Sequence, residues 1–329
     1  MAAMASSAGG VWDWRNNHVL SVYEFSKVNV WELFKLADRC RAAVLNDGSL
    51  SAAERELILS SCRHKVLGLV FYEPSTRTMG SFQTAMQRLG GTAMIVSENS
   101  SVKKGETLQD TMRCVECYCD AMVLRHPQKG SVAFASTFLQ KPIINAGDGA
   151  GEHPTQALLD LYSVLREQGR VIDGLTITLL GDLKYGRTTH SLSKLLSMFK
   201  VNLQYVSPPG LEMPTEVVDH VANSEYGCTQ RVILSLEEAL PATDVLYVTR
   251  VQKERFETIE EYDRVKDMFV VDTKALAGAK PTLTILHPLP RVNEITEAVD
   301  SLPGAAYFRQ MENGMYVRMA LIAKVLGVL

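Results

Sequence analysis

The run Lys65-Val66-Leu67-Gly68-Leu69-Val70-Phe71-Tyr72, followed at once by Glu73-Pro74-Ser75-Thr76-Arg77-Thr78, decides the architecture of this chain. Its first part is continuously apolar and stops at a proline, which predicts a buried strand. The hydroxyl residues after Pro74 open a helical pattern that runs to Leu89. A strand that hands directly to a helix is the unit of parallel α/β architecture. Outward from this stretch the alternation recurs. Strands are predicted at 93–97, 121–126 and 142–146 in a first half, and at 175–182, 202–207, 231–236, 244–250 and 283–287 in a second. The halves meet in the glycine-rich stretch 147–151. A helix predicted over 153–168, with Leu158, Leu159, Leu161, Tyr162 and Leu165 spaced for burial on one side, joins them. The last periodic segment, 313–326, carries Met315, Met319, Leu321, Ile322 and Val325 and is expected to pack back on the first half.

The chain has 329 residues, enough for about two domains. Hydrophobic residues make up 46% and charged residues 22%, which excludes a disordered or fibrous chain. A net charge of −3 supplies no overall basic field for nucleic acid, so any anion must meet a local cluster of positive charge. No apolar run reaches the roughly 20 residues that span a bilayer. Residues 1–17 read as a flexible tail, rich in Ala, Ser and Gly at its start and without the pattern of a secretory signal. Six cysteines in a chain of this length do not form a disulfide framework, and reduced thiols in the cytoplasm are expected. Cys114, Cys117 and Cys119 fall in a predicted helix with no second ligand pair, and read as buried cysteines rather than a metal site.

In doubly wound sheets ligands collect beyond the carboxyl ends of strands, so the residues after each predicted strand are the candidates for chemistry. Ser75, Thr76, Arg77 and Thr78 offer hydroxyls, a guanidinium and a helix start, a receptor for phosphate; the alternative is that Ser75 caps the helix. Arg125, at the end of strand 121–126, donates to a phosphate or polarises a carbonyl, or else forms a surface ion pair. His153 and Gln156 share one face of the joining helix, placed for a carbonyl and an amide, or for a cap and solvent. Arg187 and Arg250, the latter with Gln252 beside it, follow two strands of the second half, and two separate guanidiniums suit a dicarboxylate. The prolines flanking Leu289 hold its backbone extended with the carbonyl free to accept from an amine, or mark an ordinary loop. Residues 100–107 read as a mobile basic loop. The glycines of 147–151 do not form a dinucleotide-binding fingerprint.

In their order and spacing these strings resemble the aspartate carbamoyltransferase catalytic chain, from about His18 to the C-terminus. The carrying strings are Ser-Thr-Arg-Thr at 75–78, Lys-Lys-Gly-Glu-Thr at 103–107, Leu-Arg-His-Pro at 124–127, His-Pro-Thr-Gln at 153–156, Gly-Asp-Leu-Lys-Tyr-Gly-Arg-Thr at 181–188, Thr-Arg-Val-Gln-Lys-Glu-Arg at 249–255 and His-Pro-Leu-Pro-Arg at 287–291. The resemblance implies two doubly wound parallel-sheet lobes joined by helices, the aspartate/ornithine carbamoyltransferase fold. A carbamoyl phosphate domain would comprise 18–152 with 307–329, and an aspartate domain 153–306. It implies transfer of the carbamoyl group of carbamoyl phosphate to L-aspartate, early in pyrimidine biosynthesis, with no metal and no cofactor.

Residue by residue, the resemblance assigns carbamoyl phosphate to Ser75, Thr76, Arg77, Thr78, Arg125, His153 and Gln156. It assigns aspartate to Arg187, Arg250, Gln252, Leu289 and Pro290, and catalysis to Arg77, Thr78, Arg125 and His153. Ser101 and Lys104 would reach in from a neighbouring subunit of a homotrimer, with Lys104 serving both substrates and Ser100 the alternative to Ser101. The strings lean toward eukaryotic relatives, which implies other pyrimidine-pathway domains as partners. Met79 and Gly80 depart from the arginine or serine of many relatives, a change that bears on helix stability. The rival readings are ornithine carbamoyltransferase, disfavoured by Pro288, Arg250 and Gln252, and a catalytically silent scaffold subunit.

Overall fold

A computed structural model describes residues 13–97, 105–253, 256 and 258–329. Helices α1 (Lys27–Leu45) and α2 (Ala52–Leu59) precede a first series of β1 (Val66–Phe71), α3 (Thr76–Arg88), β2 (Thr92–Ser97), α4 (Leu108–Tyr118), β3 (Ala121–His126), α5 (Ser131–Ser136) and β4 (Ile143–Asp148). Helix α6 (Pro154–Glu167) leads into β5 (Thr176–Leu180), α7 (Arg187–Leu196), β6 (Asn202–Val206), α8 (Thr215–Ala222), β7 (Thr229–Val232), α9 (Leu236–Ala239), β8 (Val245–Val248), α10 (Ile259–Val265) and β9 (Thr284–Leu286). Helix α11 (Tyr307–Val325) follows.

The strands form two sheets, ordered β2-β1-β3-β4 and β7-β6-β5-β8-β9, and every pairing between them is parallel. Strands β4 and β8 are buried at every position, as expected where helices cover both faces of a parallel sheet. In each sheet the chain winds outward in one direction and then starts again in the other. The first sheet reverses between β1 and β3, the second between β5 and β8. Such reversals leave a crevice beyond the carboxyl ends of the two central strands.

The two sheets share one apolar core, and each half has a further cluster of its own. Helix α6 is buried from Pro154 to Leu165, on all sides rather than the one side its spacing predicts, because it lies between the halves and packs on α7 and α11. Leu158 and Leu161 of α6, Leu179 of β5 and Leu321 of α11 belong to a single apolar cluster. As expected, α11 returns to the first half, packing against α1, α3 and α6, although it begins at Tyr307 rather than at residue 313.

Several other expectations are corrected. The helices before residue 65 went unread, although Ser26 and Ser51 each open a capping box, with Asn29 and Glu54 three residues on. The strand expected at 231–236 is the edge strand Thr229–Val232. Ser235 instead caps α9, its hydroxyl accepting from the Glu238 amide at 3.2 Å. Of the stretch read as a tail, residues 13–17 pack on the body: Trp14 is buried and stacks on Phe25 at 5.3 Å, and the Asn16 amide donates to the Val325 carbonyl at 2.9 Å. Cys119 is buried as expected, whereas Cys114 and Cys117 are exposed on the outer face of α4. No helix among the described residues is long and apolar enough to cross a membrane.

Candidate active site

The two sheet reversals open into the same cavity of about 250 Å³. Ser75, Arg77 and Thr78 come to it from the β1 end, Arg125 from β3, His153 from the turn after β4 and Gln156 from the first turn of α6. Across from them, Arg187 arrives from the β5 end, Arg250 and Gln252 from β8, and Leu289 and Pro290 from β9. Thr76 is the exception: it sits in the first turn of α3 but does not line the cavity. Ser100, Ser101 and Lys104 lie outside the described residues.

The local folding explains why these side chains are available. Ser75 occupies the N-cap position of α3 yet makes no side-chain cap bond; its hydroxyl instead accepts from Arg125 Nη1 at 3.4 Å. His153 precedes α6 without capping it, and its own backbone amide is held by Ser191 Oγ at 3.1 Å. The turn that delivers His153 is stapled by Asp148, which accepts from the Glu152 amide and the Gly130 amide, each at 2.8 Å. Gly147 is required there. It adopts φ +114°, and a Cβ would lie 3.0 Å from the Arg187 guanidinium carbon. Arg187 donates from Nη1 to the Gly149 carbonyl at 2.7 Å, tying the second half to this turn.

Positive charge is concentrated here. Glu73 Oε2 accepts from Arg125 Nε at 3.1 Å and lies 3.5 Å from Arg187 Nη2, so one carboxylate brackets guanidiniums from both halves. Burial, then the repulsion of Arg187, pushes Arg125 down to about 10. Burial, then Arg250, lowers Arg77. His153 is held well below its ordinary value by burial and by Arg187, Arg125 and Arg318, so its ring is neutral at pH 7. A neutral imidazole beside three arginines donates one hydrogen bond without adding a charge.

Opposite, the His287 ring has a fixed tautomer. Nδ1 accepts from the Leu289 amide at 2.7 Å, so the proton is on Nε2, which meets Glu294 Oε1 at 2.7 Å. That bond engages the Leu289 N–H. Leu289 itself is not extended, as its flanking prolines predicted, but left-handed with φ +53°, the conformation that brings its amide back onto the His287 ring. A buried relay continues from there: the His287 amide donates to Gln310 Oε1 at 2.9 Å, and Gln310 Nε2 donates to Asp160 Oδ1 at 2.6 Å. Asp160 Oδ1 also accepts from Gln156 Nε2 at 2.8 Å, and Oδ2 from the Tyr247 hydroxyl at 2.7 Å. Glu73, Asp160, Gln310 and Arg318 were not legible as site residues. Glu73 alone had a signal, standing between a strand end and the hydroxyl-arginine string.

A cleft lined by five arginines and one neutral imidazole is built for an anionic donor and an anionic acceptor. The comparisons with known proteins agree. The carbamoyl-P binding domain model of the aspartate/ornithine carbamoyltransferases matches residues 17–166, and their Asp/Orn binding domain model matches 173–325. The multifunctional protein CAD of Squalus acanthias is 51% identical over 311 residues, 94% of this chain and 13% of that protein. The aspartate carbamoyltransferase catalytic subunit of Thermococcus gammatolerans is 48% identical over 96% of this chain and 100% of its own length. Aspartate transcarbamoylase from Trypanosoma cruzi in complex with carbamoyl phosphate superposes with a TM-score of 0.89 at 39% identity, covering 96% of this chain and 98% of that one. The chain belongs to the aspartate/ornithine carbamoyltransferase family. Within it, the chain is an aspartate carbamoyltransferase catalytic domain, and it spans about an eighth (13%) of the length of its multifunctional relatives.

Proposed function

We propose that this chain transfers the carbamoyl group of carbamoyl phosphate to the amine of L-aspartate, giving N-carbamoyl-L-aspartate and phosphate for pyrimidine synthesis. The observation that carries this reading is the meeting of two arginine pairs, Arg77 with Arg125 and Arg187 with Arg250, across one cavity. The first pair sits with the hydroxyls of Ser75 and Thr78 at the start of α3, a setting for a phosphoryl dianion, with Thr76 supplying its backbone at the helix N-terminus. The second pair, with Gln252, suits the two carboxylates of aspartate, which a lone arginine does not explain.

In this reading the amine attacks the carbamoyl carbon, negative charge develops on the carbamoyl oxygen, and the C–O bond to phosphate breaks. Thr78, Arg125 and neutral His153 donate to that oxygen, with the aligned positions of the reactants supplying much of the remaining acceleration. Gln156 holds the carbamoyl amide, fixed by Asp160 behind it. The Leu289 carbonyl, with Pro290 beside it, accepts from the attacking amine, and the leaving phosphate takes the amine proton. Residues 18–152 with 307–329 form the carbamoyl phosphate domain, and 153–306 the aspartate domain. Ser101 and Lys104 complete the site from a neighbouring subunit of a cytoplasmic homotrimer, and other pathway domains are its companions.

The deciding experiment is product formation from carbamoyl phosphate with L-aspartate and, in parallel, L-ornithine, without added metal. Carbamoyl aspartate alone is expected; turnover of ornithine would overturn the assignment of Arg187 and Arg250. Arg77→Ala is expected to raise the carbamoyl phosphate requirement and Arg250→Ala the aspartate requirement, each by about tenfold or more. Equal effects on both substrates in both variants would refute the division between the halves. For the shared site, mixing Lys104→Ala and Arg77→Ala chains, each impaired alone, is expected to regain part of the activity through hybrid trimers. Confirmed mixing without recovery would place each site within one chain.

A further inference from the structure

The polar groups on the cavity wall that these roles leave over include Ser81, one turn beyond Thr78 on α3, and Arg318 on α11. Arg318 is 3% exposed, with its guanidinium carbon 4.9 Å from the centroid of the Phe82 ring. Its Nε and Nη2, like Ser81 Oγ, are sealed from solvent without a hydrogen-bond partner among the described residues. No described carboxylate pairs with it. Asp160, the acid whose charge favours the guanidinium, uses its oxygens on Gln156, Gln310 and Tyr247.

A guanidinium does not escape this position by losing its proton, since burial lowers its pKa only to about 10. An unpaired buried cation destabilises the fold, so its presence calls for a counter-charge from outside the chain. The helix is shaped around the guanidinium itself. At Gly314, one turn earlier on α11, a Cβ would lie 3.0 Å from Leu159 Cδ2 and 3.4 Å from Arg318 Nη1. With Nε and Nη2 shut away, Nη1 is the nitrogen left to meet a ligand on this wall. Arg125 and His153, at the phosphate end of the cavity, both feel the charge of Arg318.

We propose that Arg318 is a further cation of the carbamoyl phosphate subsite, left without a protein counter-ion so that the phosphoryl anion of the substrate supplies one. This rests on the carbamoyl phosphate reading above. It assigns a binding role to the C-terminal helix and gives a reason for an otherwise costly buried charge.

The test compares Arg318→Met, similar in shape but uncharged, with Arg318→Lys. Inorganic phosphate is the binding probe, read by calorimetry, and carbamoyl phosphate the substrate. The Met variant is expected to be at least as heat-stable as the parent without ligand. Its phosphate Kd and its KM for carbamoyl phosphate are expected to rise about tenfold, with the aspartate KM moving far less. The Lys variant should recover part of the affinity. Unchanged phosphate affinity in the Met variant would overturn the proposal, as would a loss of heat stability with affinity intact, which marks a structural strut. Should the Met variant not fold, the Lys variant decides: weakened phosphate binding at parental stability supports the proposal, and parental binding refutes it. Phosphate binding is read without turnover, so failure of the parent to act on either amino acid would sink the transferase reading separately.

Discussion

Replacing Arg125 by alanine is expected to lower turnover by about 10²- to 10³-fold, the usual cost of deleting one preorganised donor to a developing oxyanion. The fold should survive the change. Arg125 is pushed down to about 10 by burial and then by Arg187, so its removal relieves a like-charge contact as well as breaking its pair with Glu73. Glu73 is not stranded, because Arg187 Nη2 remains 3.5 Å from the same oxygen. The expected signature is therefore a collapse of kcat with a melting temperature close to that of the parent. Arg125→Lys should recover little, since a single ammonium cannot serve Glu73, Ser75 and a substrate oxygen from one planar fork. Steady-state kinetics beside thermal melts check this, and an alanine variant that kept kcat would remove Arg125 from the reacting oxygen.

The same arithmetic explains how a chain of net charge −3 carries a cationic cleft. Each central strand at a reversal point ends in an arginine-bearing segment, so topology gathers Arg77, Arg125, Arg187 and Arg250 although they are far apart in sequence. Glu73, beside Arg125 and Arg187, and Asp182, whose charge interacts with Arg250, act against their mutual repulsion. An anionic ligand entering this field meets cations the fold holds in advance, so little rearrangement opposes its binding.

Strand ends are legible in sequence because a buried parallel strand is a continuous apolar run with an abrupt stop, and in this architecture the residue after the stop is where ligands gather. That is why Arg125, His153, Arg187 and Arg250 were found from position alone. Residues that act from within helices leave no such mark. Asp160 and Gln310 sit on α6 and α11 with the spacing of ordinary helical polar residues, and Arg318 reads as a solvated charge until α3 and α6 are seen to cover it. Helices α1 and α2 were missed for a different reason: their apolar positions are weakly patterned, and only the capping boxes at Ser26 and Ser51 announce them. The edge strand β7 was misplaced because Val232, 67% exposed, lacks the burial that makes the other strands readable, while Leu236 beyond it is buried in a helix.

The largest loss of stability is expected from Asp160→Ala. The carboxylate is fully buried and accepts from Gln156, Gln310 and Tyr247, so alanine leaves three buried donors without an acceptor. At about 1–3 kcal/mol for each stranded group, a loss of about 4 kcal/mol or more is expected, read as a lower denaturant midpoint at unchanged m. Asp160→Asn keeps one oxygen to accept and should cost far less. The asparagine variant also isolates a proton. Burial pushes Asp160 up to about 7 against the three hydrogen bonds that favour its ionised form, from an ordinary value of 3.8. A raised acid binds its proton more tightly in the folded state. The stability this contributes is therefore complete below the unfolded value and lost as pH rises through the folded one. Relative to Asp160→Asn, the parent should lose stability between about pH 4 and pH 7. Glu24, also raised to about 7 by burial, acts with the same sign in both proteins and cancels in the comparison. Urea midpoints of the two proteins that ran parallel across this range would show that Asp160 binds its proton no more tightly in the folded state than in the unfolded one. The relay from His287 to Gln156 would then be anchored by a carboxylate rather than by a neutral acid.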